Sequence, residues 1–281
     1  PADPRGWRLR GGVTYSAMAL ARLGVRVSAV IGLDGEAAAA RELDVLREAG
    51  VQLAPVRLAR GPVFDNTETP NGREQLCHSA SDRLPATSLP ADWAAAPAVL
   101  LNPVAGELDW RWGQLFGPGT LIALGWQGLL RRLARGRSVE ALPLRPLSLI
   151  ARADIATVST EDAAGGARAA LDRLLPRVGQ QVVVTSDRGF SLHLRRESAR
   201  WVARTVPVRR SSVVRDPTGA GDVFLATWLA GVLAARAAGV ADDHWRPLAL
   251  AAAAAGAKVE VRALAAMPDL RAICERLRPR D

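Results

Sequence analysis

Cysteine is nearly absent from this chain. Its 281 residues include two cysteines, Cys77 and Cys274, which lie far apart and in no Cys-x-x-Cys pair. This spacing argues against a disulfide framework and against a structural zinc site. The first residues, Pro1 to Arg5, lack the apolar segment of a secretory signal peptide. We therefore expect free thiols and a cytoplasmic location.

Lysine is scarcer still, although the chain is strongly basic. Lys258 is the only lysine among 37 basic residues, the net charge is +9 and the pI is about 11.1. The arginines are scattered and form no dense basic tract. Because nucleic-acid sites are usually clustered basic patches, we expect no nucleic-acid partner, and we keep binding by the basic surface as a weaker alternative. The same positive charge would also attract an anionic substrate such as ATP.

Long apolar runs and several common catalytic motifs are also missing. The uncharged apolar stretch from Val223 to Ala235 is shorter than the ~20 residues of a membrane span, so no membrane partner is expected. No GxxxxGK[ST], HRD, DFG, GxSxG or HExxH motif occurs, which argues against P-loop NTPases, protein kinases, α/β-hydrolases and zinc peptidases. His78, His193 and His244 are isolated and predict no metal site.

What the chain does contain is an alternation of short apolar runs with amphipathic helical stretches. Hydrophobic residues make up 49% of it, enough for a sizeable core. The alternation predicts an α/β fold with a mostly parallel sheet covered by helices. Strands are predicted at 25–31, 51–58, 98–101, 121–124, 154–158 and 182–185, and helices at 36–49, 161–174, 220–238, 243–261 and 269–277.

Residues 61–90 interrupt this alternation because they are polar and rich in turns. Asn71-Gly72 is a strong hairpin signal, and strand-like segments at 63–69 and 73–79 flank it. An ordinary surface hairpin would explain the pattern. We favour a flap over a functional site, since long excursions from compact α/β cores are often lids.

The most informative segment is Asp216-Pro217-Thr218-Gly219-Ala220-Gly221-Asp222, which precedes the apolar helix. Small side chains let a ligand approach the backbone. The first N–H groups of a helix lack partners within it and, with the helix dipole, attract an anion. Asp222 would then stand beside a bound phosphate as a proton acceptor, which favours phosphoryl transfer to a hydroxyl. The alternative is a tight turn with an aspartate that complements the dipole.

This segment resembles the C-terminal signature of the ribokinase-like (PfkB-type) carbohydrate kinases. Similar in family order are Gly11-Gly12-Val13-Thr14-Tyr15-Ser16-Ala17, Val30-Ile31-Gly32-Leu33-Asp34-Gly35, Ala153-Asp154-Ile155 with Glu161-Asp162, and Val182-Val183-Val184-Thr185. Within the family, residues 67–75 and 127–131 resemble a subgroup that includes myo-inositol kinase-like proteins. The resemblance spans nearly the whole chain.

The resemblance implies one domain over residues 1–281, a three-layer sandwich with a mostly parallel central sheet and a small β lid. Lid elements would lie at about 8–16 and 59–90. The implied activity is ATP- and Mg²⁺-dependent phosphorylation of a hydroxyl on a small sugar, polyol or nucleoside. A homodimer built through the lid is also implied.

The family's roles can be carried over residue by residue. Asp222 would be the base, while the backbone N–H groups of the Gly-Ala-Gly turn would hold the transferring phosphate. Gly11 and Gly12 would let the acceptor approach the backbone. The full set is, for catalysis, Asp222, Gly219, Ala220 and Gly221; for substrate, Gly11, Gly12 and Glu107; for the nucleotide, Thr185, Thr218 and Gly189; and for Mg²⁺ through water, Asp162.

Glu107 enters this set on other grounds, because it follows a predicted strand end, where open α/β sheets bind ligands. A helix N-terminal glutamate favoured by the dipole is the alternative. We interpret Arg73 and Arg131 as solvated, although either could meet a polyol or a phosphate.

Three departures from the family pattern raise a second hypothesis. Ser159 and Asp162 stand where the family has Asn and Glu, and the turn at 186–189 is one residue short. The sequence also starts too late to contain the family's first strand, so either the sequence is truncated or the central strand and a substrate ligand have been lost. A catalytically impaired, kinase-like ligand-binding or assembly protein is therefore the alternative to an active kinase.

Overall fold

The computed structural model of this chain describes residues 6–69, 72–145, 147–163, 177–186, 190–198, 200–207, 211, 213–240 and 245–278. The strands are β1 Ser28–Leu33, β2 Gln52–Arg57, β3 Val63–Thr69, β4 Gly72–Ser79, β5 Ala98–Leu101, β6 Leu121–Gly125, β7 Arg131–Arg132, β8 Arg137–Ser138, β9 Glu140–Ala141, β10 Ile155–Ser159, β11 Gln181–Thr185, β12 Phe190–Glu197 and β13 Arg200–Pro207. The α-helices are α1 Gly12–Arg22, α2 Arg41–Glu48, α3 Ser148–Arg152, α4 Ala220–Ala237, α5 Trp245–Lys258 and α6 Leu270–Leu277.

A six-stranded sheet in the order β13-β12-β11-β10-β6-β5 forms the middle layer. Strands β5, β6, β10 and β11 are parallel, and β12 and β13 continue the sheet in antiparallel fashion. Every residue of β6 is buried, because helices and loops cover both faces of a parallel sheet. Strands β1 and β2 form a separate parallel pair. In the part of the chain that the structure describes, no strand joins β1 to β5.

The sheet separates two apolar cores. Along β6, Ile122 and Leu124 pack into one core with Trp126, whereas Leu121 and Ala123 pack into the other against helices α4 and α5. This division follows from the two-residue period of a strand. Helix α1 packs beside α4 in a third cluster that also covers β1. The α/β fold with a mostly parallel central sheet, predicted from the alternation of elements, is confirmed.

Helix α4 carries the catalytic candidates at its start and is the most apolar helix of the core. Its 18 residues, of mean hydropathy 1.3, could cross a membrane by length and composition, and it is the one described helix that could. Leu225 and Trp228 are fully buried between the sheet and α5. This packing against the sheet and α5 explains why helix α4 is so apolar. The helix extends beyond both ends of the uncharged run 223–235.

A smaller set of strands stands apart from the central sheet. Strands β3, β4 and β8 form an antiparallel sheet, and β7 pairs with β9. The strands expected at 63–69 and 73–79 are confirmed, while Asn71 of the predicted hairpin turn lies outside the described residues. Cys77, buried in β4, and the exposed Cys274 are free thiols, as expected.

The structure differs from the sequence-based expectations at three places. The element expected in the lid at 8–16 is helical from Gly12 onward, because Tyr15, Met18 and Ala19 recur at helical spacing and are buried against the core. The helix expected over 36–49 is a 3₁₀ turn followed by α2. The antiparallel pair β12-β13 was not predicted, since much of β13 is exposed and carries no apolar alternation. The helix expected over 161–174 lies outside the described residues from 164 onward and stays a prediction.

Candidate active site

One extended cleft reaches the carboxyl ends of β5, β6, β10 and β11, where helix α4 also begins, and continues between β1 and β5. Open α/β sheets bind ligands at this edge. All the sequence-predicted site residues within the described ranges line it: Gly11, Gly12, Glu107, Asp162, Thr185, Thr218, Gly219, Ala220, Gly221 and Asp222. Gly189 lies outside the described residues. Residues of β3, such as Phe64 and Asn66, line the same extended cleft.

The turn formed by residues 219–221, which we call the anion turn, leads directly into helix α4. Gly219 precedes the helix with φ of 84°, in the left-handed region that favours glycine. A Cβ atom here would also collide with the ring of Tyr15. Ala220 N–H donates to Pro217 O at 3.2 Å, so this amide is already engaged within the turn. The following amides open the helix and have no partner within it.

Asp216 anchors the segment that leads into the anion turn. Its carboxylate accepts a hydrogen bond from Thr218 N at 3.0 Å and an ion pair from Arg10 at 3.1 Å. Burial opposes the charge, but the Thr218 backbone amide and the Arg10 guanidinium hold the pKa of Asp216 below its ordinary value. Asp216 therefore stays ionised, and by accepting the Thr218 N–H it stabilises the segment that leads into the turn.

Asp222, in the first turn of α4, is held by a residue that sequence reasoning missed. Asn102 Nδ2 donates to Asp222 Oδ1 at 2.8 Å and to Ser16 Oγ at 3.0 Å. Asn102 follows β5 directly and is itself buried. A polar residue straight after a buried strand was the available signal, because strand ends carry ligand-site residues in such folds.

Two glycines make room for Asn102. A Cβ atom on Gly12 would lie 2.5 Å from Asn102 O, and one on Gly125 would collide with Asn102 Oδ1. The close approach of Asn102 therefore explains why position 12 carries no side chain. Gly11 caps the start of α1 at the cleft. The predicted contact of Gly11 and Gly12 with an acceptor stays a prediction.

The surroundings of Asp222 suit a base. Burial raises the pKa of its carboxyl, while the hydrogen bond from Asn102 and the positive charges of Arg131 and Lys258 act in the opposite direction. A carboxylate with a raised pKa accepts a proton more readily than an ordinary aspartate. Among the described side chains, Asn102 alone donates a hydrogen bond to this carboxylate, and it does so to Oδ1. Oδ2 is therefore the candidate proton acceptor.

A second polar cluster lies at the cleft around Asp162. Its Oδ2 accepts from Ser159 Oγ at 2.7 Å and from Gln127 Nε2 at 3.2 Å, and Arg131 approaches Oδ1 to 3.6 Å. The side chain of Arg131 is only 12% exposed. Our interpretation of Arg131 as solvated was therefore wrong, because the start of β7 turns it into the cleft. The side chain of Arg73 lies outside the described set.

This cluster also bears on magnesium. Among the residues that the structure describes, no three His, Cys, Asp or Glu side chains come together. Both oxygens of Asp162 face protein partners, so the donor set does not fit a directly bound ion. It does fit a hydrated Mg²⁺ held through water, whose other ligands would come from phosphates.

The remaining candidates have structural contacts of their own. The Glu107 carboxylate accepts from Val104 N at 3.0 Å and from Ala105 N at 2.7 Å, and so closes the loop that contains it. Thr185 ends β11, and its hydroxyl points to Val158 O at 3.4 Å. Their contacts with substrate and nucleotide stay predictions.

Comparison with known proteins identifies the fold. No protein-family model matches the chain, and no curated protein matches it in sequence. Solved structures do. A pyrophosphate-dependent kinase in the ribokinase family, complexed with a pyrophosphate analogue and myo-inositol, aligns with TM-score 0.69 and 20% identity over 95% of this chain and 91% of its own. Fructokinase with bound ATP from Xylella fastidiosa gives 0.69 and 20% over 95% and 90%. Arabidopsis thaliana ribokinase with ribose and ATP gives 0.64 and 19% over 96% and 88%.

These likenesses extend along nearly the whole chain. The chain has the ribokinase-like fold, as its motifs predicted, and its candidate site lies at the strand ends and the start of α4. At this level of identity, the likeness establishes the fold alone.

Proposed function

We propose that this protein is a phosphotransferase that phosphorylates a hydroxyl group of a small sugar, polyol or nucleoside. The observation that carries the proposal is the placement of Asp222. Its carboxylate, held by Asn102 at 2.8 Å, stands in the first turn of a helix whose N-terminus opens into the cleft. A base beside an anion-binding helix start is an arrangement that suits phosphoryl transfer to an alcohol.

The reaction follows from these positions. The acceptor hydroxyl donates its proton to Asp222 Oδ2 as its oxygen attacks the terminal phosphorus of the donor. The bond between that phosphorus and the bridging oxygen breaks, and ADP leaves from ATP, or phosphate from pyrophosphate. The amides at the start of α4 stabilise the negative charge on the migrating phosphoryl group. Arg131, turned into the cleft beside Asp162, adds a positive charge near the donor phosphates. Magnesium, held by Asp162 through water, would neutralise phosphate charge when bound.

We propose ATP as donor, as in the ATP-bound fructokinase and ribokinase structures, and pyrophosphate as its competitor, because one similar kinase depends on it. The segments 67–75 and 127–131 favour myo-inositol as the first acceptor to try. The protein is further proposed to be cytoplasmic and to dimerise through the lid, whose Val63 and Leu76 are 45% and 37% exposed.

A screen of donor and acceptor pairs tests the proposal. ATP and pyrophosphate are each combined with myo-inositol, ribose, fructose and nucleosides in the presence of Mg²⁺, and phosphorylated product is followed by ³¹P NMR. We expect one donor to yield a phosphomonoester of one acceptor class. Binding of donor and acceptor with no product from any pair would refute the proposal and favour the kinase-like binding protein.

A further inference from the structure

A hairpin of residues 131–141, which we call the arginine arm, leads from the cleft to the small sheet of β3, β4 and β8. It begins at Arg131, whose Nη2 lies in the cleft 3.6 Å from Asp162 Oδ1, and it returns along β9, which pairs with β7. Gly136 turns the tip with a φ of 70°, in the left-handed region that favours glycine. Beyond this turn, β8 pairs with β4. One hairpin thus connects the candidate site with an exposed tip.

The arm carries a dense positive charge. Four of its residues are arginines, and Glu140 is its only acidic residue. Our expectation that the arginines form no dense basic tract is therefore wrong for this segment. Glu140 pairs with one of them, Arg132, at 3.5 Å. Arg135 and Arg137, at the tip, are exposed, and among the described residues neither has an acidic partner. Positive charge therefore runs from Arg131 in the cleft to the surface.

A chain of phosphates fits this arrangement. The guanidinium group of arginine is always charged and binds phosphate oxygens through two parallel hydrogen bonds. Arg131 lies near the proposed position of the donor phosphates, so a longer phosphate chain that starts there can extend toward the tip. Single-stranded nucleic acid fits less well. Sites for it usually add aromatic side chains on which the bases stack, and the arm contains no Phe, Trp or Tyr.

We propose that the arginine arm binds inorganic polyphosphate, a linear chain of phosphates joined by anhydride bonds, and directs one end of the chain to the candidate site as a phosphate donor. The proposal rests on the function proposed above and extends its donor class beyond ATP and pyrophosphate. The acceptor oxygen forms a bond to the terminal phosphorus of the chain, and its proton passes to Asp222 Oδ2. The bond from that phosphorus to the bridging oxygen breaks, and the chain leaves one phosphate shorter.

The arm should make affinity depend on chain length. Arg135 lies four residues beyond Arg131. At about 3.3 Å per extended residue, the tip lies up to about 13 Å from the base of the arm. Pyrophosphate has only two phosphates and should contact the base alone, whereas a long chain should reach the tip. Exposed ion pairs change affinity by up to about fivefold each, so the two tip arginines together should contribute about tenfold.

Calorimetric titration with pyrophosphate, tripolyphosphate and a long-chain polyphosphate measures this dependence. The test variant is Arg135→Met/Arg137→Met. Its matched control, Arg47→Met/Arg271→Met, removes two exposed arginines of α2 and α6 that lie outside the cleft. At low salt we expect the test variant to bind the long chain about tenfold more weakly than wild type and to bind pyrophosphate equally well. The control should match wild type for every ligand, and the difference should shrink as salt screens the charges.

A second variant separates lost charge from a disturbed tip. Arg135→Lys/Arg137→Lys keeps both charges and should bind the long chain more tightly than the methionine variant. Equal loss in the two variants would overturn the proposal, because the loss would then come from the turn and not from charge. Wild-type affinity that does not rise from pyrophosphate to the long chain would overturn it as well. So would tighter binding of a single-stranded RNA of equal charge, which would make the arm a nucleic-acid site.

Product formation separates this proposal from the proposed function. Each donor is supplied with Mg²⁺ and the acceptors of the screen above, and phosphomonoester is followed by ³¹P NMR. We expect product from long-chain polyphosphate, with a lower kcat/KM in the methionine variant. Product from ATP or pyrophosphate but none from polyphosphate would overturn the donor role and leave the proposed function standing. If binding of polyphosphate depends on the arm while no donor yields product, the proposed function fails and the arm remains a polyphosphate site.

Discussion

Replacing Asp222 with asparagine separates the proposed base from its structural surroundings. The substitution keeps the shape of the side chain, and its carbonyl oxygen can still accept the hydrogen bond from Asn102 Nδ2, now 2.8 Å from Oδ1. The second oxygen becomes an amide nitrogen, which cannot accept a proton. General-base catalysis contributes about 10²- to 10⁴-fold in rate. The barrier should therefore rise by about 3–5 kcal/mol, with kcat falling accordingly.

The thermal stability of Asp222→Asn should not fall with its activity. Because burial raises the pKa of Asp222, the folded protein holds this proton more tightly than the unfolded chain does. The stability contributed by the protonated group is fully present below the unfolded-state pKa and is lost as pH rises through the folded-state value. Asparagine never ionises. Asp222→Asn should thus unfold at a temperature equal to or above that of wild type at neutral pH, with the difference shrinking in acid.

Initial rates of product formation and calorimetric unfolding at neutral and acid pH measure both effects. Asp82→Asn is the control, because the side-chain hydrogen bond from Arg60 lowers the pKa of this aspartate. It should leave kcat unchanged and should not raise the unfolding temperature at neutral pH. Unchanged turnover in Asp222→Asn would refute its role as the base. If Asp222→Asn loses both activity and stability, the argument that the buried charge of Asp222 destabilises the fold is wrong. The carboxylate would then be a contact that stabilises the structure.

Three further substitutions probe the surroundings of the proposed base. Asn102→Ala removes the hydrogen bond that opposes the raised pKa of Asp222, so the acid limb of kcat/KM against pH should move to higher pH. If this limb does not move, Asp222 is not the group that titrates there. Arg131→Met should raise KM for the donor and should also move the acid limb to higher pH, because it removes a positive charge that lowers the pKa of Asp222. Its control, Arg132→Met, removes an arginine whose side chain is 67% exposed and should match wild type in initial-rate assays. Gly221→Ala meets nothing within 4 Å, and it should raise stability by about 0.5–1 kcal/mol while weakening pyrophosphate binding in calorimetry. Unweakened binding would show that phosphate does not fill that space.

Local sequence determined the parallel strands of the central sheet and the helix that carries Asp222. The strand at 98–101 has the predicted bounds, and those at 121–124 and 182–185 differ by one residue at one end. The start of α4 at Ala220 was also predicted. These features could be predicted because apolar runs, glycines and helix starts act over a few neighbouring residues. The motif at 216–222 likewise predicted its turn from its own small residues.

The residues that complete the site were decided only by the tertiary structure. Asn102 reaches Asp222 across 120 positions of sequence, and Lys258 reaches the carbonyl of Asp216 across 42. Arg131 could not be distinguished from a solvated arginine until the start of β7 placed it in the cleft. Burial, charge pairing and close approach depend on distances in space. The sequence alone therefore determined the parallel strands of the central sheet and the turn at which α4 begins, while packing decided which side chains hold Asp222 and that turn in place.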